Sequence, residues 1–320
     1  MLLPSCSTVF ELGKDKMGIF PQISVIIPLY NHERFIVRAL ESVYAQSVLP
    51  KEVIVVDDGS SDRSLKIAQE FAKTRSETMT VWSHPNEGAH YTINSGIQRA
   101  TGEFIAVLNS DDAYVANRFA ECLDIFDANP EIAAVCTGLA FIDERGNSIQ
   151  NSWYEQACAF YRQIDDLSLA LINGNFFMTT SNLIIRRNIF YEIGYFSNLR
   201  YAHDLDFFLR LLLRGKKIYF HDKPLISYRI HAMNTISEDV LRVKVEWAAA
   251  VAFFVYSYWQ RGVQNWDYFV KLTDITDRHN LTRLLVYFFA FYDSLSSDKI
   301  SCDAFIKDEK FTQFIYKAAR

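Results

Sequence analysis

A chain of 320 residues that is 50% hydrophobic and 22% charged has ordinary globular composition, long enough for a large core or two domains. Its net charge of −5, with no dominant basic block, gives no electrostatic footprint for duplex nucleic acid, though a nucleotide held through a metal is still compatible with it. The five cysteines, Cys6, Cys122, Cys136, Cys158 and Cys302, are scattered and form no Cys-x-x-Cys pair, which argues against a disulfide framework or zinc site and for a reducing compartment.

Residues 1–21 carry Glu11, Lys14, Asp15 and Lys16 and lack a continuous apolar stretch, so they read as a lead-in arm rather than a signal peptide. A cytoplasmic location is the resulting expectation. The first strand is the β-branched run Ile23-Ser24-Val25-Ile26-Ile27-Pro28, with Leu29-Tyr30-Asn31-His32 as the loop beyond it. Phe35, Ala39, Leu40 and Val43 then recur at helical spacing. A second strand, 52–56, runs into Asp57-Asp58-Gly59-Ser60-Ser61-Asp62, a turn in which Ser60 or Ser61 would cap the next helix. A third strand over 78–83, the turn Asn86-Glu87-Gly88, a helix over 91–99 and a fourth strand over 104–108 follow. Strand, loop and helix repeated in this way predict a parallel α/β sheet with all carboxyl ends on one edge.

Two of those strand ends carry adjacent carboxylates: Asp57-Asp58, and Asp111-Asp112 within Asn109-Ser110-Asp111-Asp112. Ligands of open α/β sheets bind beyond the carboxyl ends of the strands, and paired carboxylates offer hard oxygens to Mg²⁺ or Mn²⁺. The plainer alternative is an Asp-rich turn with a helix cap. Neither Gly-x-Gly-x-x-Gly nor a P-loop occurs, so bound phosphate charge has to be met mainly by a cation.

Further along, 133–137 reads as a strand, 141–149 as a turn, 182–186 as a strand, and 218–220 and 225–230 as edge strands ending at His231. Leu205, Phe208, Leu209 and Leu212 share one helical face, with Asp204 at the front of that helix, either a dipole-favoured acid or a base facing the site. From 237 onward the pattern is helical. Trp247, Val251, Phe254, Val255 and Tyr258 form one stripe, and Leu281, Leu284, Leu285, Phe288, Phe289 and Tyr292 another. These stripes either pack on the main domain or contact a membrane surface or partner, which extends the location to the inner face of a membrane.

The ordered motifs over 22–237 resemble the inverting family 2 glycosyltransferases of GT-A fold. They are Ser24-Val25-Ile26-Ile27-Pro28-Leu29-Tyr30-Asn31, Val55-Val56-Asp57-Asp58-Gly59-Ser60-Ser61-Asp62, Asn86-Glu87-Gly88, Asn109-Ser110-Asp111-Asp112, His203-Asp204-Leu205-Asp206 and Tyr228-Arg229-Ile230-His231. The resemblance implies a Rossmann-like, mostly parallel sheet flanked by helices over 22–236, with a nucleotide-sugar half over 22–113 and an acceptor half over 114–236. Residues 237–320 form a C-terminal helical extension outside it. It implies transfer of a sugar from a nucleotide-sugar, most often a UDP-sugar, to a saccharide or lipid-linked acceptor. Pro28, Tyr30 and Asp58 match base- and ribose-holding positions, with Asp57 beside them, and Asn31, Asn86, Gly88 and Asn109 complete the donor set. Asp111 matches a ribose or metal contact, Asp112 the Mn²⁺ or Mg²⁺ ligand, and His231 a further metal ligand of some members. Asp204 matches the general base, preceded by His203 where the family has Glu. Arg229 offers a guanidinium for the departing diphosphate. A sugar nucleotidyltransferase or a non-catalytic nucleotide-sugar-binding module are the competing readings. The first usually carries an early Gly-rich loop, and 28–34 contains no glycine.

Overall fold

The structure, a computed structural model, describes residues 23–262 and 265–320, so the lead-in read over 1–21 lies outside the described residues. The first part alternates as the sequence predicts: β1 (Ile23–Leu29), α1 (Ile36–Tyr44), β2 (Glu52–Asp57), α2 (Ser64–Lys73), β3 (Met79–Ser83), α3 (Ala89–Arg99) and β4 (Phe104–Val107). Then come β5 (Ala113–Tyr114), α4 (Arg118–Ala128), β6 (Ile132–Ile142), β7 (Ser148–Ile149), α5 (Ser152–Ile164) and α6 (Leu167–Asn173). After these follow β8 (Ile184–Arg186), α7 (Ile189–Ile193), α8 (His203–Leu213) and β9 (Lys217–Arg229). Helices α9 (Val240–Gln260), α10 (Trp266–Arg278), α11 (Thr282–Asp293) and α12 (Glu309–Ala319) complete the chain.

One sheet of nine strands has the order β3-β2-β1-β4-β8-β6-β9-β5, with β7 on β6. Strands β1 to β4 pair in parallel, β8 runs antiparallel between β4 and β6, and β9 is parallel to β6. Strands β1, β2, β4, β6 and β9 therefore end on one edge, and the mostly parallel α/β expectation holds. The chain's local pattern explains the burial. Ile23, Val25, Ile27 and Leu29 enter the core on one face of β1, and Ile26 enters the core on the other. The same two-faced burial of β2 and β4 gives the continuous apolar runs that mark a covered sheet.

Three local expectations are corrected. Residues 141–149 are not a simple turn: β6 continues to Ile142 and returns through a tight loop to β7, with the Asp143 N–H donating to Asn147 O at 2.9 Å. The two predicted edge strands are one strand, β9, which lies between β6 and β5. Pro224 is accommodated there because the register shifts at Thr137 and Gly138, where a Cβ on Gly138 would lie 2.9 Å from the Lys223 carbonyl carbon. Finally, α2 starts at Ser64, and the carboxylate that meets its first turn is Asp62, which accepts from the Ser64 N–H at 2.8 Å, rather than Ser60 or Ser61.

The C-terminal stripes face inward. Val251, Phe254, Leu284, Leu285 and Phe288 are buried in the same core cluster as Ile26, Ile54 and Phe207. Small residues Ala248, Ala249, Ala250 and Ala252 are fully buried, letting α9 approach its neighbours closely. Among the described residues, no helix is long and apolar enough to cross a membrane.

Gly96, on the α3 face that covers β1, tests that packing. Helix propensity favours Ala there by about 1 kcal/mol. A Cβ, however, would lie 2.4 Å from Ile26 Cγ2. Overpacking of a filled core costs about 1–3 kcal/mol, so Gly96→Ala is expected to lower the urea midpoint. A raised midpoint would show that α3 can lift from β1 without cost.

Candidate active site at the carboxyl edge

At the end of β1, Tyr30 is 45% exposed, and Asn31 takes a left-handed conformation (φ 52°) that Asn tolerates. Asn31 laces two strand ends together: its N–H donates to Ser60 Oγ at 2.9 Å, and its Oδ1 accepts from the Ser61 N–H at 2.8 Å. The two carboxylates after β2 are used differently. Asp58 accepts from the Glu87 and Gly88 N–H groups at 2.7 and 3.0 Å, while the Asn86 amide donates to the Asp58 carbonyl at 3.1 Å. Asp58, Asn86 and Gly88 thus close a loop on one another. Asp57 Oδ2 accepts from Ser83 Oγ and the Ser60 N–H, whereas its Oδ1 is buried with no hydrogen-bond partner among the described residues. A buried acceptor without a donor is costly. Pro28 stays within β1, paired with Val56.

The second acidic tip splits in the same way. Asp112 is buried, its Oδ1 accepting from the Arg229 N–H at 2.9 Å and its Oδ2 from Ser181 Oγ at 2.6 Å. Burial first, and the charge of Asp111 second, push its carboxyl well above the ordinary range. Asp111 points the other way. Burial opposes its ionisation, yet the hydrogen bond from His231 Nε2 at 2.9 Å and the charges of His32 and His231 bring its carboxyl below the ordinary range. His32, with Nε2 4.0 Å from Asp111 Oδ2, is itself lowered, by burial foremost, and so keeps a lone pair. Among the described residues, His32, Asp111 and His231 are the group whose ligand atoms lie within 4.8 Å of one another. Asp112, at the position matched to the metal ligand, lies outside this group, and each of its oxygens already accepts a hydrogen bond from the protein.

Asn109 is fully engaged as well, donating to Thr179 Oγ1 at 2.9 Å and accepting from Thr180 Oγ1 at 3.0 Å. Arg229 is 1% exposed. Its guanidinium donates to the carbonyls of Asp111 and Asp143, both at 2.8 Å, and lies 4.9 Å from the Phe35 ring centre.

Asp204 stands on the first turn of α8, 7% exposed, with Oδ1 accepting from the Leu205 N–H at 2.7 Å and Oδ2 from the Asn175 amide at 2.9 Å. Burial raises its carboxyl, against the charge of His203 and these two donors. The phenol of Tyr228, on β9, is half-buried, and burial first, then the charges of Asp112, Asp111 and Asp204, push it up. His203 Nδ1 and Asn175 Oδ1 are buried without partners among the described residues. Sequence reading missed Asn175 and the segment 179–182, whose short polar side chains look like any loop. Their only signal is position, before β8 and opposite the β4 tip.

Comparison with known proteins follows this geometry. Residues 24–194 match the family described as Glycosyl transferase family 2. A glycosyltransferase of Rickettsia typhi is 30% identical over 223 residues, covering 67% of this chain and 66% of its own length. One of Rickettsia prowazekii is 31% identical over 229 residues, covering 69% and 68%. The chain thus spans about two thirds of these relatives. Chondroitin synthase of Escherichia coli is 35% identical over 133 residues, 42% of this chain and 19% of that protein. Among solved structures, S. aureus TarS 1–349 in complex with UDP-GlcNAc matches with a TM-score of 0.62 at 20% identity, covering 93% of this chain and 82% of TarS 1–349. Its complex with UDP matches with a TM-score of 0.60, also at 20% identity, over 87% and 76%. These structural matches share the fold, a mixed α/β sheet of GT-A type. With more than half of the 320 residues inside the family match, the chain belongs to glycosyl transferase family 2.

Proposed function

We propose that the chain transfers a sugar from a nucleotide-sugar, a UDP-sugar in the first instance, to a hydroxyl of a saccharide or lipid-linked acceptor, with inversion by single displacement. The observation that carries this reading is the group His32, Asp111 and His231, with ligand atoms within 4.8 Å of one another beyond the strand ends, together with a buried acid, Asp204, held by Asn175 at the start of α8. Environments that push two carboxyls apart assign them separate tasks. The occurrence of UDP and UDP-GlcNAc in TarS, which shares the fold, supports the donor class.

The exposed ring of Tyr30 offers a face for a pyrimidine, and the orphaned Oδ1 of Asp57 an acceptor for a base N–H. Asp58, beside it, holds the Glu87 and Gly88 amides and so shapes the loop next to that base. Asp111 with His231, and His32 beside them, would hold the cation, a mixed carboxylate and imidazole set that suits Mn²⁺ better than Mg²⁺. When bound, such an ion supplies Lewis-acid stabilisation of the charge growing on the leaving diphosphate. Asp204 takes the proton of the acceptor hydroxyl as the new bond forms, and its raised carboxyl brings it nearer the working pH. Asn175 fixes the carboxylate through Oδ2, with its own Oδ1 left to receive a hydroxyl. The first half of the site is thus given to the donor and the start of α8 to the acceptor.

A panel of nucleotide-sugars assayed for nucleoside diphosphate release with Mn²⁺ is expected to give turnover with one or more UDP-sugars. Release of pyrophosphate instead would mark a nucleotidyltransferase, and no release with any donor a binding module. Asp204→Asn is expected to lower kcat by roughly 10²–10⁴-fold while UDP still raises the melting temperature. In the unsubstituted chain the rate falls as pH drops through the raised Asp204 carboxyl, and an acid limb confined to the ordinary carboxylate range counts against this base. Asp111→Asn should abolish the Mn²⁺ response of turnover, whereas Asp112→Asn should keep it, because both Asp112 oxygens already accept hydrogen bonds from the protein. The reverse pair of results would return the cation to Asp112.

A further inference from the structure

Helix α9 lies beyond the residues matched to the family, 24–194, yet two consecutive side chains on it reach the segments that hold Asp204. Glu246 is a carboxylate 5% exposed in an otherwise apolar helix face. Its Oε1 accepts from the Arg200 N–H at 3.1 Å, and its Oε2 from the Tyr201 and Ala202 N–H groups at 2.6 and 3.1 Å. Those amides are the last three before α8, whose second residue is Asp204. A buried carboxylate survives only where hydrogen bonds replace water, and here all of them go to this one stretch of backbone.

Trp247, the next residue, donates from Nε1 to the Ile172 carbonyl at 3.2 Å. Its ring lies 4.9 Å from His279, which with Arg278 contacts Asn173 Oδ1, each at 3.2 Å. This fixes the end of α6, two residues ahead of Asn175, whose amide donates to Asp204 Oδ2. Adjacent residues of α9 therefore grip both the backbone that leads into Asp204 and the segment that orients its carboxylate.

The geometry points to Glu246 and Trp247 as positioning residues for Asp204, which makes the C-terminal helices part of the transfer site rather than a docking module appended to it. This rests on the reading of Asp204 as the base. The donor contacts come from β1, β2 and β4, so loosening the grip should act on the acceptor step and spare the donor.

The test uses the full chain with Glu246→Gln, Glu246→Asp and Trp247→Phe, with Asp204→Asn as reference. Measured are kcat and donor KM, the melting-temperature shift with UDP, and amide hydrogen exchange over residues 200–205. Glu246→Gln is expected to lower kcat by about tenfold to a hundredfold, with donor KM within about twofold, an unchanged UDP shift and faster exchange at 200–205. Glu246→Asp, which keeps the charge, recovers part of kcat, and Trp247→Phe lowers kcat severalfold with the same split. Should Glu246→Gln not fold, Trp247→Phe and Glu246→Asp carry the comparison. Faster exchange with kcat unchanged, or kcat and donor KM altered together, overturns the inference. If Asp204→Asn itself turns over at the full rate, the base assignment fails first, and the inference fails with it.

Discussion

Asp111 and Asp112 are neighbours in sequence at a partly dry strand end, where two unit charges roughly 4 Å apart repel by about 4 kcal/mol at an effective dielectric near 20. The fold resolves this by giving them opposite surroundings. Asp112 turns inward to the Ser181 hydroxyl and the Arg229 amide, and its carboxyl rises; Asp111 turns outward to His231 and stays ionised. The rest of the site depends on this division. The inward acid ties the β4 tip to β9 and to the segment before β8, and that tie places His231 within reach of the outward acid. The buried Arg229, spanning the carbonyls of Asp111 and Asp143, seals the same junction from below.

Much of the first half was legible because covered parallel strands must be short and apolar on both faces, and β1 to β4 are. The polar tips stood out against those runs. What one strand end does with two adjacent Asp residues was not legible, since alternate side chains point to opposite sides and only the partners decide which is exposed. Nor could the pattern show that Asp58 closes its own loop while Asp57 keeps an oxygen unpaired. Strands β6 and β9 were misread because Gly138 and Pro224 look like terminators. They face each other at a register shift, where each is accommodated by the other's geometry. Glu246 was invisible for a related reason. A single acid in an apolar helix reads as a solvent-facing charge until the amides it meets are known.

The C-terminal helices change meaning in the structure. From sequence they divide between packing elements and a surface for a membrane or partner. In the structure their apolar stripes share one core with the sheet and with α8. Family membership is carried by 24–194, but the acid at the front of α8 and the imidazole of His231 both lie after that stretch. The part of the chain that identifies the family and the part that would complete its chemistry are therefore not the same.

The sheet order has a temporal consequence. Strands β1 to β4 are joined through nearby helices and are all present by residue 107, whereas β8, β6 and β9 must insert from 132–229 to extend the sheet beyond β4. A polypeptide leaving the ribosome can thus assemble its first crossovers early, while β4 still waits for β8 along its open flank. The acid pair at the β4 tip acquires Ser181 from 69 residues further on, and Arg229 and His231 only from 117 and 120 residues further on. Synthesis order alone thus leaves the acid pair without its partners until the last strand of the sheet has been made.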